Sequence, residues 1–397
     1  MPSVEHLISL TLDLPPSCIE FWPLHPQYAV VGTYNLEKLV EDPPTESEPP
    51  EETREKKTQQ RNGSLILLHV QENSVKILQS LSTPSAILDL HFSPAYFPPF
   101  VFGAATSTGS IEVYELTDQQ GQAVFGTPGY ETVIPKIRHL QTLQLASEDT
   151  IVTAFSWHRS LCAVGITLSD GSVCLEDANL VDSSSVMMRR GASGMHDLEA
   201  WTLAFLPDGS GMYTGGDDSA LKNTAVADGY FMKHQWTDRK IHRAGVTAIL
   251  PFHANERRSL VLTGSYDDHI RLIYASVNGR RTVLSELNLE GGVWRLKFLG
   301  MDPNPFFLEK FLDMDFNSSF PESGEVFLLA SCMHAGARIL KLIWNGEKDW
   351  RFEVVAKFEE HKSMNYGSDC QPSLNTKGQR TFISTSFYDR LLCLWRF

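Results

Sequence analysis

His334 stands where a repeated phrase otherwise carries an aspartate. The phrase occurs four times: Thr214-Gly-Gly-Asp-Asp-Ser-Ala-Leu, Thr263-Gly-Ser-Tyr-Asp-Asp-His-Ile, Ala330-Ser-Cys-Met-His-Ala-Gly-Ala and Thr385-Ser-Phe-Tyr-Asp-Arg-Leu-Leu. Asp218, Asp267 and Asp389 hold equivalent places, and His334 takes the fourth. An imidazole titrates near neutral pH, so at this position it suits a general base that activates water. Cys332 lies two residues earlier, on the same side of a strand, which raises a Cys–His nucleophile pair against the plainer reading of a buried strand cysteine. His361, in the loop after the third phrase, is a second candidate base. Ser265 and Ser386 belong to the phrases, but no Gly-x-Ser-x-Gly elbow is present, so an α/β-hydrolase solution is excluded.

These groups need a scaffold, and the phrases supply it. Each is a β-rich run, a polar tight turn and a second β-rich run, the pattern of a WD-type β-propeller. The 397 residues suit seven four-stranded blades of roughly 40–50 residues each. Alternation marks seven first strands: Cys18–Trp22, Ile87–Phe92, Val152–Trp157, Trp201–Phe205, Val246–Leu250, Val293–Phe298 and Tyr366–Asp369. Third strands follow the turns at Ile111, Val173, Ile270 and Leu392, and only Trp395 fills the signature Trp position. The chain stops just beyond it. The alternating run His6–Leu14 is expected to supply the missing outer strand, which removes a free sheet edge. The expectation is an all-β chain: a seven-bladed WD-repeat β-propeller closed by the N-terminal strand, a single domain over 1–397.

In such a propeller the inter-blade loops and the tight turns share one face. His196, His242 and His361 belong to the first set; Asp218, Asp267, His334 and Asp389 belong to the second. The bland expectation is that His242 braces Asp267 and His196 braces Asp218, with Asp389 bracing its own blade. The histidines lack the close His-x-x-x-His spacing of metal motifs, so no metal or cofactor is expected.

Composition narrows the function further. Hydrophobic residues make up 42% and charged residues 21%, as in a soluble globular protein. The net charge of −14 argues against nucleic-acid binding, which needs Lys and Arg on phosphates. No run approaches the ~20 apolar residues of a membrane span, and the N-terminus lacks a signal pattern. The six cysteines are scattered without a Cys-x-x-Cys pair, in keeping with a reducing cytoplasmic setting. Residues 41–61 read as a disordered insertion rich in Pro, Glu, Lys and Gln. Residues 117–138 read as a long blade connection. Residues 301–324 read as a second insertion, with a short amphipathic helix at 305–316 that either packs on the propeller or docks a partner.

Particular phrases, in order, carry a family resemblance: Gly264-Ser-Tyr-Asp-Asp-His-Ile, Gly291-Gly-Val-Trp-Arg, Ser331-Cys-Met-His-Ala-Gly and Ser386-Phe-Tyr-Asp, with Ser85-Ala-Ile-Leu-Asp, Glu199-Ala-Trp and Gly215-Gly-Asp-Asp. Together they resemble the diphthine methyl esterase family of WD-repeat proteins across most of the chain, departing from it around Cys370. The resemblance implies hydrolysis of the methyl ester of methylated diphthine on translation elongation factor 2, in diphthamide biosynthesis. It also implies a substrate with a fixed trimethylammonium group, which aromatic faces attract. Trp294, Trp201, Tyr266, Tyr366 and Tyr388 then become candidate contacts, against the alternative of blade packing. His242 is a further candidate contact, and Asp267 a candidate for added Coulomb attraction. The rival reading is a non-catalytic adaptor, whose acidic surface and 301–324 insertion would dock proteins.

Overall fold

The computed structural model describes residues 3–37, 60–94, 98, 100–118, 134–158, 162–177, 189–192, 196–227, 231–255, 258–276, 280–300, 323–345 and 349–397. Every regular element among them is a β-strand. The strands form seven antiparallel sheets, each with four strands running from the channel outward. Their innermost strands are Pro16–Phe21, Ile87–Phe92, Val152–Trp157, Ala200–Phe205, Val246–Asn255, Arg295–Leu299 and Ser368–Leu374, which define blades one to seven. Blade one carries an extra two-residue strand, Asn35–Leu36, on Arg61–Gln71.

Three expected inner strands shift. Trp22 instead closes a turn, its N–H donating to Tyr28 O at 2.9 Å. Val293 donates across to Ser265 O of blade five at 3.0 Å, so it and Trp294 belong to the entry loop. Tyr366 likewise precedes its strand. The insertions expected at 41–61 and 301–324, with the helix at 305–316, lie outside the described residues except at their ends. Arg61 and Ser323 there begin strands. The 117–138 connection is shorter than expected, because Lys136–Gln144 is the outer strand of blade two.

The last blade is completed by the first strand of the chain. His6–Thr11 pairs antiparallel with Leu391–Arg396, from His6 opposite Trp395 to Thr11 opposite Leu391. Blade seven then shares an apolar cluster with blade one, in which Leu12, Ile19, Val31, Ile383 and Leu394 meet. The other interfaces are filled in the same way. Trp22 and Phe102 join blades one and two, Val113 and Phe155 join two and three, and Val173 and Leu203 join three and four. Tyr213 and Val261 join four and five, Phe252 and Leu328 join five and six, and Phe358 and Phe382 join six and seven. Seven sheets with seven apolar seams make a closed ring, because each sheet is hydrophobic on both faces and must bury both.

Candidate functional site

The turn acids are occupied in holding their blades. In blade four, Asp218 accepts from His196 Nδ1–H at 2.8 Å, and Nε2 faces the Thr214 hydroxyl at 3.0 Å. In blade five the expected His242–Asp267 brace is replaced. Asp267 takes a bidentate pair from buried Arg271, at 2.9 Å on each oxygen, plus the Arg243 N–H at 2.9 Å. A planar guanidinium satisfies both carboxylate oxygens at once. Asp267 is therefore held within its blade by Arg271. His242 is 3% exposed and bonds Thr263 Oγ1 at 2.9 Å, with Nδ1 unpartnered among the described residues. It packs inside the blade.

His361 is likewise held within its blade. It is 6% exposed and bonds Ser384 Oγ at 2.7 Å. That oxygen also accepts from Trp395 Nε1–H at 3.0 Å. The chain His361–Ser384–Trp395 braces blade seven, and the neighbouring Asp389 accepts instead from Ser363 Oγ at 2.8 Å. Burial pushes the imidazoles of His242 and His361 down to about 4. A base held that low is neutral and weak at pH 7.

The same shifts predict acid sensitivity. A histidine whose folded pKa lies below its unfolded value of ~6.5 contributes full stability above that value. The contribution is lost as pH falls towards about 4. The expected loss is roughly 3 kcal/mol per histidine at the acid end. Thermal melts from pH 7 to 4 test this: His361→Gln should flatten the acid slope, and an unchanged slope would count against it.

Blade six departs because its turn carries His334. Arg338, equivalent to Arg271, has no turn carboxylate. It bonds Ala335 O at 2.6 Å, Glu359 Oε1 at 2.8 Å and Glu290 Oε2 at 3.1 Å. The backbone holds the turn through Ala335 N to Cys332 O at 2.7 Å and Asn365 N to Met333 O at 3.0 Å. His334 is thus freed from bracing and exposed, with no side-chain hydrogen bond among the described residues. Cys332, by contrast, is fully buried, and burial pushes its thiol up to about 12. It fills the seam between blades five and six. A protonated, inaccessible thiol cannot attack an ester, so the Cys–His pair is corrected.

The aromatic candidates converge. Trp294 is the hub, with ring centroids 5.0 Å from Tyr366, 5.6 Å from Trp201 and 6.0 Å from Tyr266. Phe387 extends the cluster from Tyr366 at 5.4 Å towards Tyr34 at 6.2 Å. Tyr388 lies outermost, 70% exposed against Phe387. The four central rings are half-buried. They come from blades four to seven, so they meet where the inner strands begin, at the channel mouth. Two glycines set Tyr266. A Cβ on Gly245 would lie 2.9 Å from its ring, and one on Gly292 would lie 3.4 Å from it and 2.7 Å from Met333 Sδ.

Sequence reasoning passed over two carboxylates beside this cluster. Asp217 Oδ1 lies against the same Gly245 as the Tyr266 ring. Asp217 N–H donates to Glu199 O at 2.8 Å, and Glu199 is two residues from Trp201. The signal was in the phrases: Asp217, Tyr266, Met333 and Tyr388 each precede the turn residue.

A charged network, also unforeseen, crosses the channel. Arg295, the residue after Trp294, pairs with buried Asp89 of blade two at 2.8 Å. Asp89 is also 3.2 Å from His91 Nε2, and His91 Nδ1 is 2.8 Å from Glu20. Lys297 pairs with Asp369, which accepts Phe21 N–H at 2.7 Å. Burial depresses His91, but Asp89 and Glu20 outweigh it and push the imidazole up to about 10. Three carboxylates and three cations thereby neutralise one another below the aromatic mouth. Among the described residues, no group of three or more His, Cys, Asp or Glu is arranged to hold a metal ion.

The closed ring, its His–Ser/Thr braces and its Trp395 define a seven-bladed propeller of the WD-repeat class, with an aromatic, acid-edged channel mouth. In fold it is similar to a propeller chain in the crystal structure of a mitotic checkpoint complex, with TM-score 0.60 and 13% identity over 100% of this chain and 92% of that one. No family model matches the chain. It is similar to the diphthine methyltransferase of Saccharomyces cerevisiae, 27% identical over 98% of this chain and 97% of the relative. It is also similar to that of Homo sapiens, 26% identical over 91% and 74%.

Proposed function

We propose that this chain hydrolyses the methyl ester of methylated diphthine on translation elongation factor 2, releasing methanol and leaving diphthine. The observation that carries the reading is the convergence of Trp201, Tyr266, Trp294 and Tyr366 at the channel mouth, in a chain similar to proteins named for diphthine. Such rings attract a quaternary ammonium through their negative faces. The methyl-ester carbon of the substrate sits close to that cation, so binding the cation positions the ester.

The reaction then needs a base and an acceptor for the methoxide. His334, exposed and free of the blade's bracing, takes a proton from water as that water attacks the ester carbonyl. The tetrahedral intermediate expels methoxide, and the imidazolium returns the proton to give methanol. The new acyl–oxygen bond replaces the one broken, and no other reactant is consumed. Backbone N–H groups at the mouth carry the oxyanion, each worth about 3–4 kcal/mol.

Purified protein incubated with elongation factor 2 bearing methylated diphthine tests this directly. Intact-peptide mass spectrometry is expected to show loss of the ester methyl, with one solvent oxygen incorporated from ¹⁸O-water. An unchanged mass would sink the hydrolase reading. Tight binding of the factor without turnover would favour the adaptor reading.

A further inference from the structure

Asp217 and Glu199 distinguish themselves from the turn acids by having no committed partner. Asp218, Asp267 and Asp389 are each tied to their blades. Arg239, a cation on the blade-four rim, pairs with Asp197 and Asp218. Among the described residues, no Lys, Arg or His neutralises Asp217 or Glu199. Both face the aromatic cluster. Asp217 shares the Gly245 face with Tyr266, and Glu199 enters the strand that carries Trp201. Burial and the negative charges of Tyr366, Asp217 and Glu199, in that order, push the Tyr266 hydroxyl pKa upward. Two unpaired carboxylates, Asp217 exposed and Glu199 half-buried, thus stand beside four converging rings. The rings supply a shape and a quadrupole for an alkylated ammonium, and the carboxylates supply the field.

We infer that Asp217 and Glu199 form the anionic wall of the channel mouth and select a quaternary ammonium group over a neutral group of the same shape. This deepens the proposed function and rests on its placement of the substrate cation in the aromatic mouth. The two carboxylates take the Coulomb role that Asp267, held by Arg271, cannot fill. They touch the cation and not the ester, so their part is specificity, and the proton chemistry stays with His334.

The two ideas are separable by a binding measurement without turnover. The full chain is titrated calorimetrically with choline and with its neutral isostere 3,3-dimethyl-1-butanol. Choline is expected to bind at least about tenfold more tightly. In the Asp217→Asn, Glu199→Gln double variant this preference should vanish, with 3,3-dimethyl-1-butanol bound as before and the melting temperature unchanged. Equal affinities in the native chain would overturn the inference. So would a preference that survives in the double variant, or no binding of either compound at ~100 mM, where even weak contacts of this kind register. A protein that prefers choline yet leaves the methylated factor intact would refute the hydrolase reading alone.

Discussion

His334→Ala should slow demethylation of the methylated factor by about 10²–10⁴-fold while leaving the melting temperature within about 1–2 °C of the native chain. The two halves of this expectation have separate causes. The imidazole is exposed and makes no side-chain hydrogen bond among the described residues, so its loss removes no packing. The turn survives on its own backbone bonds from Ala335, Gly336 and Asn365, and Arg338 keeps its ion pairs to Glu290 and Glu359 without it. Only the proton transfer is lost. Single-turnover rates followed by mass spectrometry measure the effect, and full activity in the variant would remove His334 from the mechanism. His361→Ala should behave in the opposite way. It breaks the His361–Ser384–Trp395 chain and should cost stability first, with activity falling only as blade seven loosens.

Deleting residues 1–13 should lower the melting midpoint by at least about 10 °C and promote self-association. The six-residue strand His6–Thr11 covers the Leu391–Arg396 edge, and Leu12 is buried in the seam between blades seven and one. Without them the backbone groups of Leu391–Arg396 face solvent as an unpaired edge, and Leu392 and Leu394 lose cover. The ring is then free to open at the one seam that sequence-distant segments must close. Scanning calorimetry and light scattering test this. A deleted chain that stays monomeric and melts with the intact protein would show that the other contacts of blade seven close the ring unaided. The loss should also reach the mouth, because Tyr366 and Phe387 both belong to blade seven.

Much of this molecule is readable along the chain. Period-two alternation and polar tight turns are local signals, so all seven blades and the place of Trp395 follow from residues near one another, and the alternating first run is legible as the strand the last blade lacks. The aromatic positions are legible for the same reason, since Trp201, Trp294 and Tyr366 each sit at or just before the start of an inner strand and must emerge near the same rim. Tertiary structure decided which polar group meets which. Asp267 and Asp217 are equally plausible carboxylates in sequence, yet Arg271 claims one and leaves the other facing the rings. His361 and His334 are comparable loop histidines, yet Ser384 draws the first into the core. The Arg295–Asp89 pair joins inner strands on blades two and six that no local pattern links. Partner choice of this kind depends on register and on burial, where an unmatched charge or hydrogen-bonding group is expensive, and that cost exists only once the ring has closed.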